Sequence, residues 1–211
     1  MILIIGAMAS ETVKIETLIK NPDYLTISSK AVVTGEIMGK KVMLATTGVG
    51  KVNAALTLSA ILATYPIEAI INVGLVGGFK PLHQGDMVII KETAYHDFDL
   101  TIFGYELGQV PQMPTFYPSD LSLIKAVSSK LDLKHVRLYT GDKFLTNPLE
   151  MGSVCDMEGA AFYQVAYLFK TPIISIKVVS DVVGEQAQIE DYELFEQTSS
   201  ERFKSIIGQI L

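Results

Sequence analysis

Apolar residues along this chain gather in short unbroken runs that stop at a glycine or a polar side chain: ILIIG (2–6), KVMLATTG (41–48), EAIINVG (68–74) and IISIKVVSD (173–181). Runs that are apolar at nearly every position, rather than at alternate ones, predict strands buried on both faces. Between them apolar residues recur at helical spacing over 10–19, 52–65, 121–131, 158–169 and 192–210, with Ser10 placed to cap the first helix. The alternation predicts an α/β fold with a central mixed, mostly parallel twisted sheet flanked by helices. Residues 25–47 form a denser β region with a turn at Met38-Gly39-Lys40, which predicts antiparallel strands added to that sheet. No repeat, low-complexity tract or long linker divides the sequence, so residues 1–211 are expected to form one domain. A chain of 211 residues can bury about 70% of its unfolded surface, enough for a sizeable core.

Charge narrows the partners. The formal net charge is −6, and only Lys40-Lys41 place two basic residues side by side, so no basic stripe exists to neutralise several phosphates and nucleic acid is not an expected partner. The opening MILIIGAM lacks a basic leader and no apolar run reaches the length of a membrane span, so neither a signal peptide nor a membrane partner is expected, and the location reads as cytoplasmic. The single Cys155 cannot close an internal disulfide, in keeping with a reducing compartment, and reads as a small buried thiol.

Ligands of parallel α/β sheets bind outside the carboxyl ends of the strands. At those ends stand GAMASE (6–11), GVGK (48–51), GLVGG (74–78), GDKF (141–144) and Ser180-Asp181. GVGK fails as a phosphate loop, with Ala45 in place of the first glycine and Val52 in place of the metal-binding hydroxyl, and GLVGG is not GxGxxG. One at a time, these glycines read equally as tight turns that need positive φ. Asp181 is sharper: an apolar run ends in a carboxylate, and the following Val182, Val183 and Gly184 make a poor helix start for it to cap. Glu158 and Glu11 serve equally well as acids in the first turn of a helix, Glu11 on a solvated face. Three acids near one cleft suggest acid/base work or sugar binding. In the segment 91–114, His96, Asp97 and Asp99 lack the further ligand that a metal site needs, and Phe103, Tyr105 and Pro111 suit a substrate lid or a subunit contact.

Taken together, IGAMASE (5–11), GVGKVNAA (48–55), INVGLVGG (71–78), YHDFDLTIFGYELGQVP (95–111), GDKF (141–144), DMEGAA (156–161) and VVSD (178–181) resemble the 5′-methylthioadenosine/S-adenosylhomocysteine nucleosidases, of the nucleoside phosphorylase superfamily. The resemblance runs from the first residue to the C-terminal helix. It implies a nucleoside phosphorylase-like fold and hydrolysis of 5′-substituted adenine nucleosides without cofactor or metal. Glu11 would activate the water, Asp181 would protonate the adenine at N7, and Glu158 would receive the ribose hydroxyls, a division of labour like that of glycoside hydrolysis. Met8, Val49 and Met157 would line the sugar and thioalkyl side; Phe144 would stack on adenine, with the backbone of Leu145 reading its polar edge and Ser180 beside Asp181; Tyr192 would close the thioalkyl pocket. Phe103 and Pro111 would reach into a partner's site, implying a homodimer.

The chain departs from the family pattern at three places. Leu75 stands where the family carries serine and Lys177 where it carries arginine, which implies a thinner polar shell for the water, and only twelve residues, 145–156, separate Phe144 from Met157, which implies a more open adenine side. Two other readings stay open at this point: a feeble or non-catalytic nucleoside-binding relative, favoured by Leu75 and Lys177, and a phosphorylase, disfavoured because Arg137 and Arg202 are the only arginines.

Overall fold

The computed structural model describes all 211 residues. In chain order the elements are β1 (Ile2–Gly6), α1 (Ala9–Glu16), β2 (Lys20–Ile27), β3 (Lys30–Ile37), β4 (Lys40–Thr46), α2 (Lys51–Thr64), β5 (Ala69–Gly78), β6 (Met87–Tyr95), β7 (Tyr117–Pro118), α3 (Leu121–Ser128), β8 (Lys134–Thr140), β9 (Val154–Asp156), α4 (Gly159–Phe169), β10 (Ile173–Val182), α5 (Gln188–Thr198) and α6 (Ser200–Ile210). All ten strands join one sheet, in the order β10-β6-β8-β9-β5-β1-β4-β3-β2 with β7 on β6. β10 also pairs with β5, which curls the first half of the sheet into a closed ring. β1, β4, β5 and β10 run parallel, and β2, β3 and β4 form the expected antiparallel meander through 20–46.

The unbroken apolar runs are explained by layers on both faces. Leu3 and Ile5 point into a core with Leu58 and Ile61 of α2 and Phe162 and Val165 of α4. Ile4 between them points the other way, into a core with Ile15 of α1 and Phe203, Ile206 and Ile207 of α6. Each side chain of such a strand is removed from water, at about 25 cal/mol per Å² of apolar surface.

Three boundaries differ from the pattern reading. The first helix begins at Ala9, with Met8 rather than Ser10 in the capping position. The periodic stretch 192–210 is two helices meeting at Ser199, whose hydroxyl and amide both donate to the Glu196 carbonyl and tighten the turn there. GLVGG does not follow β5 but continues it: Gly48 and Gly50 hold the positive φ of a turn, whereas Gly74, Gly77 and Gly78 are absent from the positive-φ glycines. They are glycine because neighbours crowd them. A Cβ on Gly74 would stand 2.9 Å from Glu11 Oε1 and 3.0 Å from Lys177 Nζ, and one on Gly77 would stand 2.9 Å from Val183 Cγ2.

Candidate active site

The carboxyl ends of β1, β5 and β10 and the starts of α1 and α4 meet at a cleft that encloses, with the solvent at its mouth, about 570 Å³. Glu11 sits in the first turn of α1 but is only 3% exposed, so it is not on a solvated face. Its Oε2 accepts from the amides of Ala7 (2.7 Å) and Met8 (3.0 Å), and its Oε1 reaches across to the amide of Leu75 on β5 (2.9 Å). Burial pushes the Glu11 pKa up, while the nearby Lys177 charge and these amides oppose the rise.

Asp181 lies in β10 just after the register between β10 and β5 shifts, and is 1% exposed. Its Oδ1 accepts from the Ser180 hydroxyl (2.6 Å) and its Oδ2 from Gln188 Nε2 (2.8 Å). Burial raises its pKa against these two hydrogen bonds. Glu158 occupies the position before α4, yet makes no capping bond; its Oε1 accepts instead from Gly50 N at 2.7 Å, across the cleft mouth. Burial, and then the charge of Asp156, push its pKa up.

The capping work belongs to Asp156, whose carboxylate accepts from the amides of Glu158 (3.3 Å) and Gly159 (3.0 Å) and from the Thr140 hydroxyl (2.6 Å). Its other partner is Lys177 Nζ at 3.0 Å, in an ion pair whose side chains are 3% and 2% exposed. Lys177 therefore stands beneath the cleft, behind Glu11 and Asp156, and not in its lining.

Met8, Glu11, Val49, Leu75, Phe144, Leu145, Met157, Glu158, Ser180, Asp181 and Tyr192 all line the cleft. Tyr192 donates to Met8 Sδ (3.4 Å) and meets the Phe144 ring edge-on at 5.6 Å, so these three enclose one end. Phe103 and Pro111 do not line it, and Phe103 is 74% exposed. Leu75 turns its side chain into the core with Val73 and Ile176 and offers only its backbone to Glu11. Residues 145–156 contain no helix, and Phe144 is 41% exposed. Gln188, Asp156 and Lys143 also line the cleft, beyond the residues that the sequence and the resemblance imply. Asp156 has a signal in the sequence, as a carboxylate just ahead of a helical run; Gln188 opens α5 directly after the turn at 183–187, ahead of the periodic stretch that begins at 192.

The family model described as "Phosphorylase superfamily" matches residues 1–211. The chain is 34% identical to the 5′-methylthioadenosine/S-adenosylhomocysteine nucleosidase of Aeromonas salmonicida, covering 99% of this chain and 97% of that protein. It is 35% identical to the nucleosidase of the same name from Bacillus subtilis, covering 93% and 92%. Among solved structures it is similar to the nucleosidase of Neisseria meningitidis in complex with methylthio-immucillin-A (TM-score 0.93, 30% identity, 99% and 97% covered). It is also similar to that of Colwellia psychrerythraea in complex with adenine (TM-score 0.89, 29% identity, 99% and 95% covered).

Proposed function

The chain belongs to the phosphorylase superfamily and, within it, to the 5′-methylthioadenosine/S-adenosylhomocysteine nucleosidases, and from that membership we propose that it hydrolyses the N-glycosidic bond of 5′-substituted adenine nucleosides, releasing adenine. The observation that carries the reading is the convergence of Glu11, Glu158 and Asp181, all nearly buried, on one cleft with an aromatic wall at Phe144.

Cleavage of this bond develops positive charge on the sugar and negative charge on the leaving base. Asp181 supplies the proton: burial raises its pKa, so the neutral acid persists to a higher pH than an exposed aspartic acid would allow, and adenine departs uncharged. Glu11 takes a proton from the attacking water. Lys177 and three backbone amides favour its ionised form, which the base role requires. Glu158 keeps Oε2 for the ribose hydroxyls, its Oε1 being taken by Gly50. Phe144 stacks on the base, Leu145 meets its polar edge, Ser180 orients Asp181, and Met8, Val49, Met157 and Tyr192 form the sugar and thioalkyl wall.

The polar shell of the water is less depleted than Leu75 and Lys177 imply, because the amide of Leu75 holds Glu11 and the Lys177 charge lies behind it. This favours an active enzyme over a feeble relative. Neither arginine serves a phosphate here: Arg137 pairs with Glu92 and Glu150, and Arg202 lies over the Phe195 ring. The whole chain acts as one domain in the cytoplasm and as a homodimer, with Phe103 and Pro111 completing the partner's cleft; exposed Val52, Ile102, Phe103 and Leu107 give that contact its apolar surface.

Incubation with methylthioadenosine and with S-adenosylhomocysteine in phosphate-free buffer, following adenine by chromatography, is expected to show release from both. Release only on addition of phosphate would make the protein a phosphorylase. No release in either buffer, with nucleoside binding retained, would leave a binding protein.

A further inference from the structure

Gln188 has no part in the chemistry above, yet it is held in the base end of the cleft and is only 5% exposed. Its Nε2 donates at 2.8 Å to the Leu145 carbonyl and at 2.8 Å to Asp181 Oδ2, while its Oε1 accepts from Gly184 N at 3.0 Å. Two acceptors around the nitrogen and one donor at the oxygen settle which way the carboxamide faces. An NH₂ group on a planar conjugated carbon, donating to these two acceptors at once, is what the exocyclic amino group of a 6-aminopurine would present to the same pair.

We propose that Gln188 is an internal competitor for the base: its carboxamide fills the amino-group position in the ligand-free protein, must withdraw as a nucleoside enters, and returns as adenine leaves. The inference rests on the nucleosidase reading, which supplies the base. The local structure permits the exchange. Gln188 follows a turn in which Gly184 holds φ +87°, and apart from Gln188 the helix α5 buries only Phe195. A segment with so few buried side chains opens at low cost. A competitor of this kind weakens every base ligand by the fraction of time the position is free, whatever the ligand's own fit.

The test is adenine affinity, by calorimetry, in the intact protein and in Gln188→Met, which keeps the length but has no donor, and Gln188→Ala, which empties the position. Losing two competing hydrogen bonds is expected to tighten adenine about tenfold in both variants and to lower KM for methylthioadenosine in step. In the unaltered protein the side-chain amide protons of Gln188, protected from exchange without ligand, are expected to lose that protection when adenine binds. Equal or weaker adenine binding in both variants would show that Gln188 supports the bound state, and would overturn the inference while leaving the nucleosidase reading intact. Adenine binding to none of the three proteins would overturn both.

Discussion

The two acid-bearing walls of the cleft are built by different means. On the wall of β1, α1 and β5, Glu11 is fastened by three backbone amides, with the Lys177–Asp156 ion pair behind it. On the wall of β10 and α5, Asp181 is held by the side chains of Ser180 and Gln188, the second of which follows a turn. Backbone donors, here two in the β1–α1 turn and one in β5, cannot leave without moving the chain that carries them, whereas a side-chain donor can be exchanged for a ligand at little cost. The first wall suits a group whose surroundings must be the same before and after the reaction, the second a group that must greet and release a base.

The largest effect is expected on the second wall. Asp181→Asn keeps the shape and the Ser180 neighbour but has no proton to give. Turnover is expected to fall about 10³-fold or more, the scale of a lost general acid, with nucleoside binding within about tenfold. Single-turnover adenine release beside calorimetric binding separates the two. Near-normal turnover would remove Asp181 from the acid role and with it the functional contrast between the walls.

The ion pair behind the first wall, which ties β9 to β10, should instead answer through stability. Lys177→Met leaves Asp156 charged, buried and unpaired, which typically costs about 3–5 kcal/mol. Denaturant unfolding checks this, and the double variant Lys177→Met with Asp156→Asn is expected to recover a substantial part of the loss. A single variant as stable as the parent would mean that Asp156 finds enough in Thr140 and the α4 amides.

The contrast between the walls was only half legible in the sequence. The strand runs and the polar groups at their ends predict which elements meet at the cleft, because burial pattern and strand direction are local properties; that Met8, Val49, Phe144, Met157 and Tyr192 line it was implied by the family resemblance and not by the pattern. What holds each acid is not local. Glu11 reaches from residue 11 to the amide of residue 75, and Asp156 finds Lys177 across 21 positions. Taken alone, the glycines of GLVGG suit a turn as well as a site, because glycine so often marks one, yet here Gly74 makes room for the Glu11 carboxylate and the Lys177 ammonium. Gln188 opens α5 at a place that neither periodicity nor a motif marks.

The smallest effect concerns pH and sharpens the comparison, because it asks what the second wall costs the fold. Burial raises the Asp181 pKa above its ordinary value of 3.8, so the folded protein binds its proton more tightly than the unfolded chain does. The sign follows from linkage: a raised group contributes stability that is fully present below 3.8 and is lost as pH rises through the folded pKa, at a limit of about 1.4 kcal/mol per pH unit. Asn cannot ionise, so Asp181→Asn is expected to remove that loss and to be as stable as the parent or more so at neutral pH, while nearly inactive. Unfolding midpoints of the two proteins across the acid-to-neutral range measure it. A variant that loses stability with pH as the parent does would place the burden on Glu11 or Glu158, whose pKa values are also raised. The outcome expected here would mean that the wall which meets the base keeps its acid at the expense of the fold.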